Sequence, residues 1–161
     1  HFTEPMATLR LSHYPANPWD IAAEDAVGGP AQHDYGALTM VLTDGSAGIQ
    51  VQDKAGKWVD VPDVPDSLLV LVGDCLMRWS NDQYRAAIHR VTLRSKEARF
   101  STPYFFNPPA NAVIQPRAAS TRDHPNYHSF TWREYIKGRG DDNFADLGVD
   151  DIQIDRFRRS A

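Results

Sequence analysis

The side chains most able to carry chemistry occur at three places in the chain. Residues 32–34 read Gln-His-Asp at the entry of a predicted strand, His89 lies in another strand, and Arg99 and Ser101 stand two positions apart in a third. Residues two apart on a strand share a face. Imidazoles with a carboxylate can hold ferrous iron, and an arginine can donate paired hydrogen bonds to a carboxylate. Because buried polar groups are costly unless they are hydrogen-bonded or functional, these places form the candidate site.

Each of these residues also has a structural interpretation. A strand histidine such as His89 is often a hydrogen-bonded packing residue, and an inward arginine such as Arg99 can pair with a buried carboxylate. Hydrolytic chemistry is not indicated, because no serine, histidine and aspartate surround a nucleophile elbow, and residues 44–48 are better interpreted as a turn. Cys75 has no base beside it, so a role as nucleophile is not expected.

Short strands are predicted to position these residues. Eleven prolines and ten glycines interrupt the chain, and the segments between them are rich in β-branched and aromatic residues, which is typical of a sandwich or barrel. The predicted strands cover residues 7–14, 37–42, 48–52, 58–61, 68–72, 84–93, 99–106 and 112–115. Residues 15–30 are predicted as a loop. A helix is predicted from an N-cap at Ser129 or Thr131 to about Gly138 or Gly140.

Length and composition limit the class of protein. The 161 residues, 42% hydrophobic and 24% charged, suit one globular domain with its own core. The formal net charge of −4 provides no basic field for nucleic acid. The single cysteine, Cys75, excludes an internal disulfide and a thiolate metal cluster, which favours a cytoplasmic location. No apolar run approaches the ~20 residues of a membrane helix.

The order of short motifs along the chain is more specific than any one of them. The motifs are LRLSHYP (9–15), DYGALT (34–39), GIQV (48–51), WVDVP (58–62), VGD (72–74), RWSN (78–81), YR (84–85), HRV (89–91), RFS (99–101) and FFNP (105–108). In these motifs the sequence resembles the iron(II)/2-oxoglutarate-dependent dioxygenases of the isopenicillin N synthase-like family, over about residues 8–157.

This resemblance implies a fold and an activity. The expected fold is mainly β, a double-stranded β-helix or jelly roll with a C-terminal helix and a polar tail. Residues 1–161 would form one domain, with a strand core over about 7–115 and a helical extension over about 116–161. This domain is expected to be the C-terminal part of a longer chain whose N-terminal helical portion is missing here. The expected reaction uses Fe(II), O2 and 2-oxoglutarate, which becomes succinate, to oxidise a small organic metabolite, with hydroxylation as the default outcome.

The resemblance also implies roles for individual residues. The far carboxylate of 2-oxoglutarate is expected to meet Arg99, Ser101 and Tyr14. An arginine suits this role because its planar fork donates two parallel charge-assisted hydrogen bonds. Phe105 is expected to line the substrate pocket. Small secondary metabolites, hormones and compounds derived from amino acids are the substrate classes that the resemblance suggests.

The metal motif departs from the family pattern at one position. The family has His-x-Asp, whereas here Gln32 stands first, His33 in the middle and Asp34 last. A regular strand would turn Gln32 and Asp34 to the same side, whereas a bulge at the strand entry could turn His33 inward. The expected ligands are His33, Asp34 and His89, with the neutral amide of Gln32 as the alternative to His33. A third interpretation is a non-catalytic relative that lacks the iron site and serves as a small-molecule binding or structural module.

Overall fold

The computed structural model describes residues 3–16, 27–93, 96–117, 125–144 and 154–159, and nine of the strands in this part of the chain form two antiparallel sheets. The strands in chain order are β1 Met6–Leu9, β2 Ser12–Tyr14, β3 Val27–Gln32, β4 Leu38–Thr43, β5 Ile49–Gln52, β6 Trp58–Asp60, β7 Leu69–Val72, β8 His89–Thr92 and β9 Arg99–Asn107. One sheet has the order β1-β9-β4-β7, with β2 also paired to β9, and the other has the order β3-β8-β5-β6.

The two sheets bury a small apolar core between them. Its fully buried members are Val41 of β4, Leu71 of β7 and Ile49 of β5, so that both sheets contribute. Alternation along each strand turns one face of each sheet towards this core. The arrangement confirms the predicted jelly roll.

Further elements follow or connect the sheets. The helix α1 spans Asp74–Trp79, the short strands β10 Val113–Ile114 and β11 Phe130–Thr131 pair with each other, the helix α2 spans Trp132–Phe144, and a 3-10 helix spans Ile154–Phe157. Within the described ranges, no helix combines the length and the apolar character that crossing a bilayer requires.

Two predictions about the N-terminal strands need correction. The predicted strand 7–14 is divided into β1 and β2, because Pro103 of the partner strand β9 has no backbone N–H to continue the ladder at that point. The prediction of a loop over residues 15–30 is wrong for residues 27–30, because Val27–Gln32 forms β3 and pairs with β8. The register shifts at Gly29, which lets the strand pair although its sequence contains glycines and a proline. Residues 17–26 of the predicted loop lie outside the described part.

A third correction concerns the segment between β7 and β8. The predicted strand 84–93 is shortened to His89–Thr92, because the preceding backbone bonds to the end of α1 instead. The Tyr84 N–H donates to Ser80 Oγ and the Ala86 N–H to Met77 Sδ. The helix α1 itself was not predicted, since six residues are too short to display helical periodicity.

Aromatic packing attaches the C-terminal extension to the barrel. Trp132 and Tyr135 of α2 are buried with Cys75 of α1 in one cluster, which also contains Ala37, Trp79, Ala112, Ile114, Phe130 and Ile154. The hydroxyl of Thr131 accepts the Glu134 N–H at 3.2 Å, which confirms the predicted N-cap. The extension is therefore an integral layer of the fold, and α2 continues to Phe144, beyond the predicted end.

The buried arginine Arg78 ties α1 to residues further along the chain. Its guanidinium lies 3.9 Å from the centre of the Tyr127 ring and donates to Asp82 at 2.9 Å and to Asp155 at 3.4 Å. Burial raises the pKa of the Tyr127 hydroxyl, which donates to Asp82. A charge this deeply buried is stable only because it is paired and stacked.

Candidate active site

Two adjoining cavities open between the sheets, and they share a small group of residues. The inner cavity, about 80 Å³, is lined by strands of both sheets, and the outer cavity, about 250 Å³, lies beside it. Four residues line both cavities: Arg10, Gln32, Asp34 and Phe105. The guanidinium of Arg10 lies 5.3 Å from the centre of the Phe105 ring. A compound in the outer cavity would therefore face Asp34 across this shared boundary.

Asp34 and His89 form the buried polar centre of the inner cavity. Asp34 is 6% exposed, and its Oδ1 lies 3.7 Å from Nε2 of His89. The Nδ1 atom of His89 is 3.0 Å from the carbonyl oxygen of Ala87. Because a carbonyl only accepts, Nδ1 carries a proton, and Nε2 is the ring atom that faces Asp34. In the described part of the chain, the buried Oδ2 atom of Asp34 has no hydrogen-bond partner.

The residues around Asp34 separate into two groups. Gln32 is the register partner of His89 across the β3–β8 ladder, and it lines the inner cavity. His33 lines only the outer cavity, with Nδ1 3.7 Å from Oδ1 of Asp74. The inner cavity thus brings together Gln32, Asp34 and His89, whereas His33 shares only the outer cavity with Gln32 and Asp34. Across the described ranges, no three residues from histidine, cysteine, aspartate and glutamate are grouped closely enough to hold a metal ion.

Arg99 is a buried cation whose guanidinium forms no hydrogen bond with the described residues. It is 2% exposed, and Nε, Nη1 and Nη2 have no partner in the described part of the chain. The centre of the Tyr14 ring lies 4.9 Å from the guanidinium carbon. Burial lowers the pKa of Arg99, and Tyr14 and Asp44 only partly offset that effect. Within the described ranges, no buried carboxylate is hydrogen-bonded to Arg99, so the alternative interpretation of a structural ion pair is not supported there. A buried guanidinium without a hydrogen-bond partner would be stabilised by binding an anion.

The backbone around Arg99 forms a close-fitting cradle. Arg99 and Ser101 are two residues apart in β9, so their side chains lie on the same face of the strand. Ser101 and Tyr14 both line the inner cavity. Gly48 lies against the guanidinium with a φ of +149°, and a Cβ there would stand 3.1 Å from three of the guanidinium atoms. The structure therefore brings together the three residues that were predicted to meet the far carboxylate.

Sequence reasoning missed a buried pair beside the outer cavity. Asp74 is buried, and the hydroxyl of Tyr135 donates to its Oδ2 at 2.7 Å. Burial raises the pKa of both groups. His33 lies next to this pair, with its Nδ1 3.7 Å from Oδ1 of Asp74, which is longer than a hydrogen bond. The only signal in the sequence was an aspartate that follows an apolar strand, and that signal is also typical of a helix N-terminus.

Comparisons with known proteins agree with this arrangement. The sequence profile described as the 2OG-Fe(II) oxygenase superfamily matches residues 5–108. The 2-oxoglutarate-Fe(II) type oxidoreductase hxnY of Emericella nidulans is 36% identical over 83% of this chain and 39% of its own length. Gibberellin 2-beta-dioxygenase 4 of Arabidopsis thaliana is 34% identical over 94% of this chain and 50% of its own.

Solved structures show the same relationship in three dimensions. A full-length Neurospora crassa protein, solved in complex with alpha-KG, superposes with a TM-score of 0.77 at 27% identity, over 84% of this chain and 44% of that one. JOX2, solved with 2OG, Fe and JA, superposes with a TM-score of 0.73 at 32% identity, over 81% and 38%. The chain spans half or less of the length of these relatives. By its profile, its fold and its relatives, the chain belongs to the 2OG-Fe(II) oxygenase superfamily.

Proposed function

We propose that the chain supplies the iron- and 2-oxoglutarate-binding barrel of an oxygenase that oxidises a small organic molecule, in the simplest case by hydroxylation. One observation carries the proposal: the buried guanidinium of Arg99 has no hydrogen-bond partner among the described residues, and it lies on the same strand face as Ser101. Ser101 and Tyr14 line the cavity that also holds Asp34 and His89, so a dicarboxylate held by Arg99 and Ser101 could reach a metal at that pair.

The residues that would hold iron are Asp34, His89 and Gln32. The fit rests on the buried Oδ2 of Asp34, which has no hydrogen-bond partner in the described part of the chain, and on Nε2 of His89, which lies 3.7 Å from Oδ1 of the same carboxylate. Gln32, opposite His89, would add a neutral amide oxygen. Nitrogen and oxygen donors of this kind suit ferrous iron. When bound, the iron with O2 and 2-oxoglutarate supplies the oxidising chemistry, and 2-oxoglutarate is converted to succinate and carbon dioxide.

Three residues would hold the 2-oxoglutarate. Arg99 would donate two parallel hydrogen bonds to the far carboxylate, and Ser101 would donate a third from its hydroxyl. The Tyr14 ring against the guanidinium limits the orientations that Arg99 can take. Because the guanidinium is buried, an anion bound there would accept hydrogen bonds from donors that have no partner within the described ranges.

The outer cavity would hold the substrate. Phe105 supplies an apolar wall at the boundary with Asp34, and Arg10 and His33 supply polar groups at the opening. These side chains would orient the target carbon towards the metal ligands and limit the access of water. Positioning the substrate and excluding water are the contributions of the protein, whereas the cofactor supplies the oxidising chemistry.

Binding of 2-oxoglutarate to the arginine variant tests this function. Calorimetric titration with 2-oxoglutarate in the presence of Mn(II) should show binding to the wild-type chain. Arg99→Lys should weaken it about 10-fold to 100-fold, because a lysine lacks the planar fork, a difference of roughly 1.5–3 kcal/mol. Arg85→Lys, at an exposed position outside both cavities, is the matched control and should leave binding unchanged.

A second measurement tests the reaction itself. Anaerobic loading with Fe(II) and 2-oxoglutarate, followed by O2, should release succinate from the wild-type chain. Absence of 2-oxoglutarate binding would contradict the proposed site. Binding without succinate formation would contradict the proposed reaction and would support the alternative, a small-molecule binding module.

A further inference from the structure

A third cavity lies outside the site described above. It measures about 250 Å³ and opens between residues 43–49, which join β4 to β5, and residues 61–69, which join β6 to β7. We refer to it as the linker cavity. Of its lining residues, Ile49 alone also lines the inner cavity, and none lines the outer one.

Hydrogen bonds hold both walls of the linker cavity in place. The hydroxyl of Thr43 donates to Oδ1 of Asp63, which ties one wall to the other. Within residues 43–49, Oδ1 of Asp44 accepts the Ser46 N–H at 3.1 Å, and within residues 61–69 the hydroxyl of Ser67 donates to a backbone carbonyl at 2.7 Å. A ligand would therefore meet walls that are already ordered, which lowers the entropic cost of binding.

Most of the lining is aliphatic, and part of it faces water. The aliphatic lining residues are Ile49, Val61, Pro62, Val64, Leu68 and Leu69. The side chains of Val64 and Leu68 are more than half exposed, at 57% and 52%. An apolar group seated in the cavity would remove these side chains from water, which is favourable. The lining thus fits a ligand with an apolar body.

Asp63 is the charged residue of the lining. No lysine, arginine or histidine lines the linker cavity. Within the described ranges, the partner of the Asp63 carboxylate is the neutral hydroxyl of Thr43, and no cation pairs with it. A carboxylate in this position can accept a charge-assisted hydrogen bond from an ammonium group of a ligand.

The charges around the cavity have the same sign. Asp44 and Asp66 lie on the same two segments as the lining residues. The lysines of the β5–β6 turn, Lys54 and Lys57, lie at the opposite end of that hairpin, because β5 begins and β6 ends at the cavity. Arg99 does not line the cavity, and Asp44 offsets part of its charge. The surroundings therefore favour a cation over an anion.

We propose that the linker cavity is a second small-molecule site of this chain and that it binds a small organic ammonium ion with an apolar body. The ammonium group donates to Asp63, and the apolar body covers Val64 and Leu68. This site is independent of the proposed function, because none of the residues proposed to hold the metal or 2-oxoglutarate lines the linker cavity.

Three probes with the same apolar body and different end groups test the proposal. The probes are 2-phenylethylammonium, 2-phenylethanol and 3-phenylpropionate, each titrated into the ¹⁵N-labelled chain and followed by the amide signals of residues 43–49 and 61–69. The ammonium should shift these signals, the alcohol should shift them more weakly, and the carboxylate should not. At low salt the dissociation constant of the ammonium should be about 3-fold lower than that of the alcohol. Added salt should weaken binding of the ammonium alone.

Variants of the lining separate the two parts of the interaction. Asp63→Asn keeps an oxygen that accepts from Thr43, so the fold should persist, and binding of the ammonium should weaken about 3-fold while that of the alcohol stays unchanged. Asp66→Asn, at an exposed position outside the lining, is the matched control and should leave both unchanged.

The apolar part has its own pair of variants. Leu68→Ala should weaken binding of both the ammonium and the alcohol. Leu42→Ala, at a position that is also 52% exposed but outside the lining, should weaken neither. Thermal unfolding verifies that all four variants fold.

Several results would overturn the proposal. These are absence of binding at millimolar ammonium, equal binding of the ammonium and the carboxylate, and ammonium binding that Asp63→Asn does not alter. Shifts confined to residues of the inner or outer cavity would place the probe in the site already described and would also overturn it. Binding of 2-oxoglutarate is measured separately, so these results leave the proposed function standing.

Discussion

Gln32 lies directly opposite His89 in the β3–β8 ladder, at the edge of a cavity where Nε2 of His89 is 3.7 Å from the carboxylate of Asp34. The pairing of β3 with β8, which are far apart in sequence, thus places the polar side chain of Gln32 in the same cavity wall as Asp34 and His89. That side chain is an amide, whereas the neighbouring imidazole of His33 lies against Asp74. The geometry leads to distinct expectations for these two adjacent residues.

Removal of His33 should not affect the metal. In His33→Ala, the affinity for Mn(II) with 2-oxoglutarate present should equal that of the wild type, because His33 lines only the outer cavity. Oxidation of a substrate, by contrast, should become less efficient, since the outer cavity loses a polar group. Titration with Mn(II) makes the comparison, with Gln32→Ala as the variant that should lose affinity. If His33→Ala lost metal binding instead, His33 would be a ligand, as the sequence pattern first suggested.

A methyl group at Gly48 should disturb the 2-oxoglutarate anchor. Gly48→Ala places a Cβ 3.1 Å from the Arg99 guanidinium, so the affinity for 2-oxoglutarate should fall about tenfold, equivalent to roughly 1.4 kcal/mol. Gly56→Ala is a matched control, because Gly56 also has a positive φ, of +81°, but nothing lies within 4 Å of its added Cβ.

Both glycine variants should lose about 1 kcal/mol of unfolding free energy from the positive φ, and only Gly48→Ala should lose 2-oxoglutarate affinity. Calorimetry and denaturant unfolding measure the two quantities separately. Equal 2-oxoglutarate affinity in the two variants would show that the anchor does not lie against Gly48.

Removal of the Tyr135 hydroxyl should destabilise the fold. Tyr135→Phe leaves the buried Oδ2 of Asp74 without its donor, and an unsatisfied buried group of this kind costs about 1–3 kcal/mol. Denaturant unfolding measures the loss. Tyr84→Phe, at a position that is 58% exposed, removes the same atom and should change the stability by less than about 0.5 kcal/mol. Similar stabilities for the two variants would argue against the hydrogen bond between Tyr135 and Asp74.

The thiol of Cys75 should be unreactive while the chain is folded. Cys75 is 0% exposed, and burial raises the pKa of its thiol, which lowers the thiolate fraction at neutral pH. A colourimetric disulfide reagent should therefore label almost no chain at pH 7–9 in native buffer and one thiol per chain in denaturant. Labelling of the native chain should stay very slow throughout this range, because the pKa lies above it and the sulfur is buried. Rapid labelling of the native chain would indicate that α1 opens readily.

Much of the sheet structure could be predicted from local sequence. The strands β4, β5, β7 and β9 lie within or close to the segments predicted from short β-rich runs between turns. Alternation also correctly placed Arg99 and Ser101 on one face, because that relationship depends only on the strand period. The N-cap at Thr131 was likewise predictable, since a cap depends on residues within one turn.

Other elements depended on contacts that a sequence pattern does not display. The strand β3 contains two glycines and a proline, which disfavour a strand locally. It is a strand because it forms an antiparallel ladder with β8. The helix α1 is only six residues long. Its buried Arg78 is stabilised by Asp82, which follows the turn after the helix, and by Tyr127 and Asp155, which are distant in the sequence. Tertiary contacts outweigh local propensity in such short elements.

The sequence by itself determined the family, several of the strands and the identity of the candidate groups. The residue types of Asp34, His89 and Arg99 and their order along the chain carry that information without any coordinates. Only the tertiary structure gave Gln32 and His33 different surroundings: the ladder with β8 sets Gln32 opposite His89, and His33 lies against a carboxylate 41 positions away at Asp74. Which way a side chain faces at an irregular strand end depends on the strands and helices packed around it, and those are set by the fold as a whole.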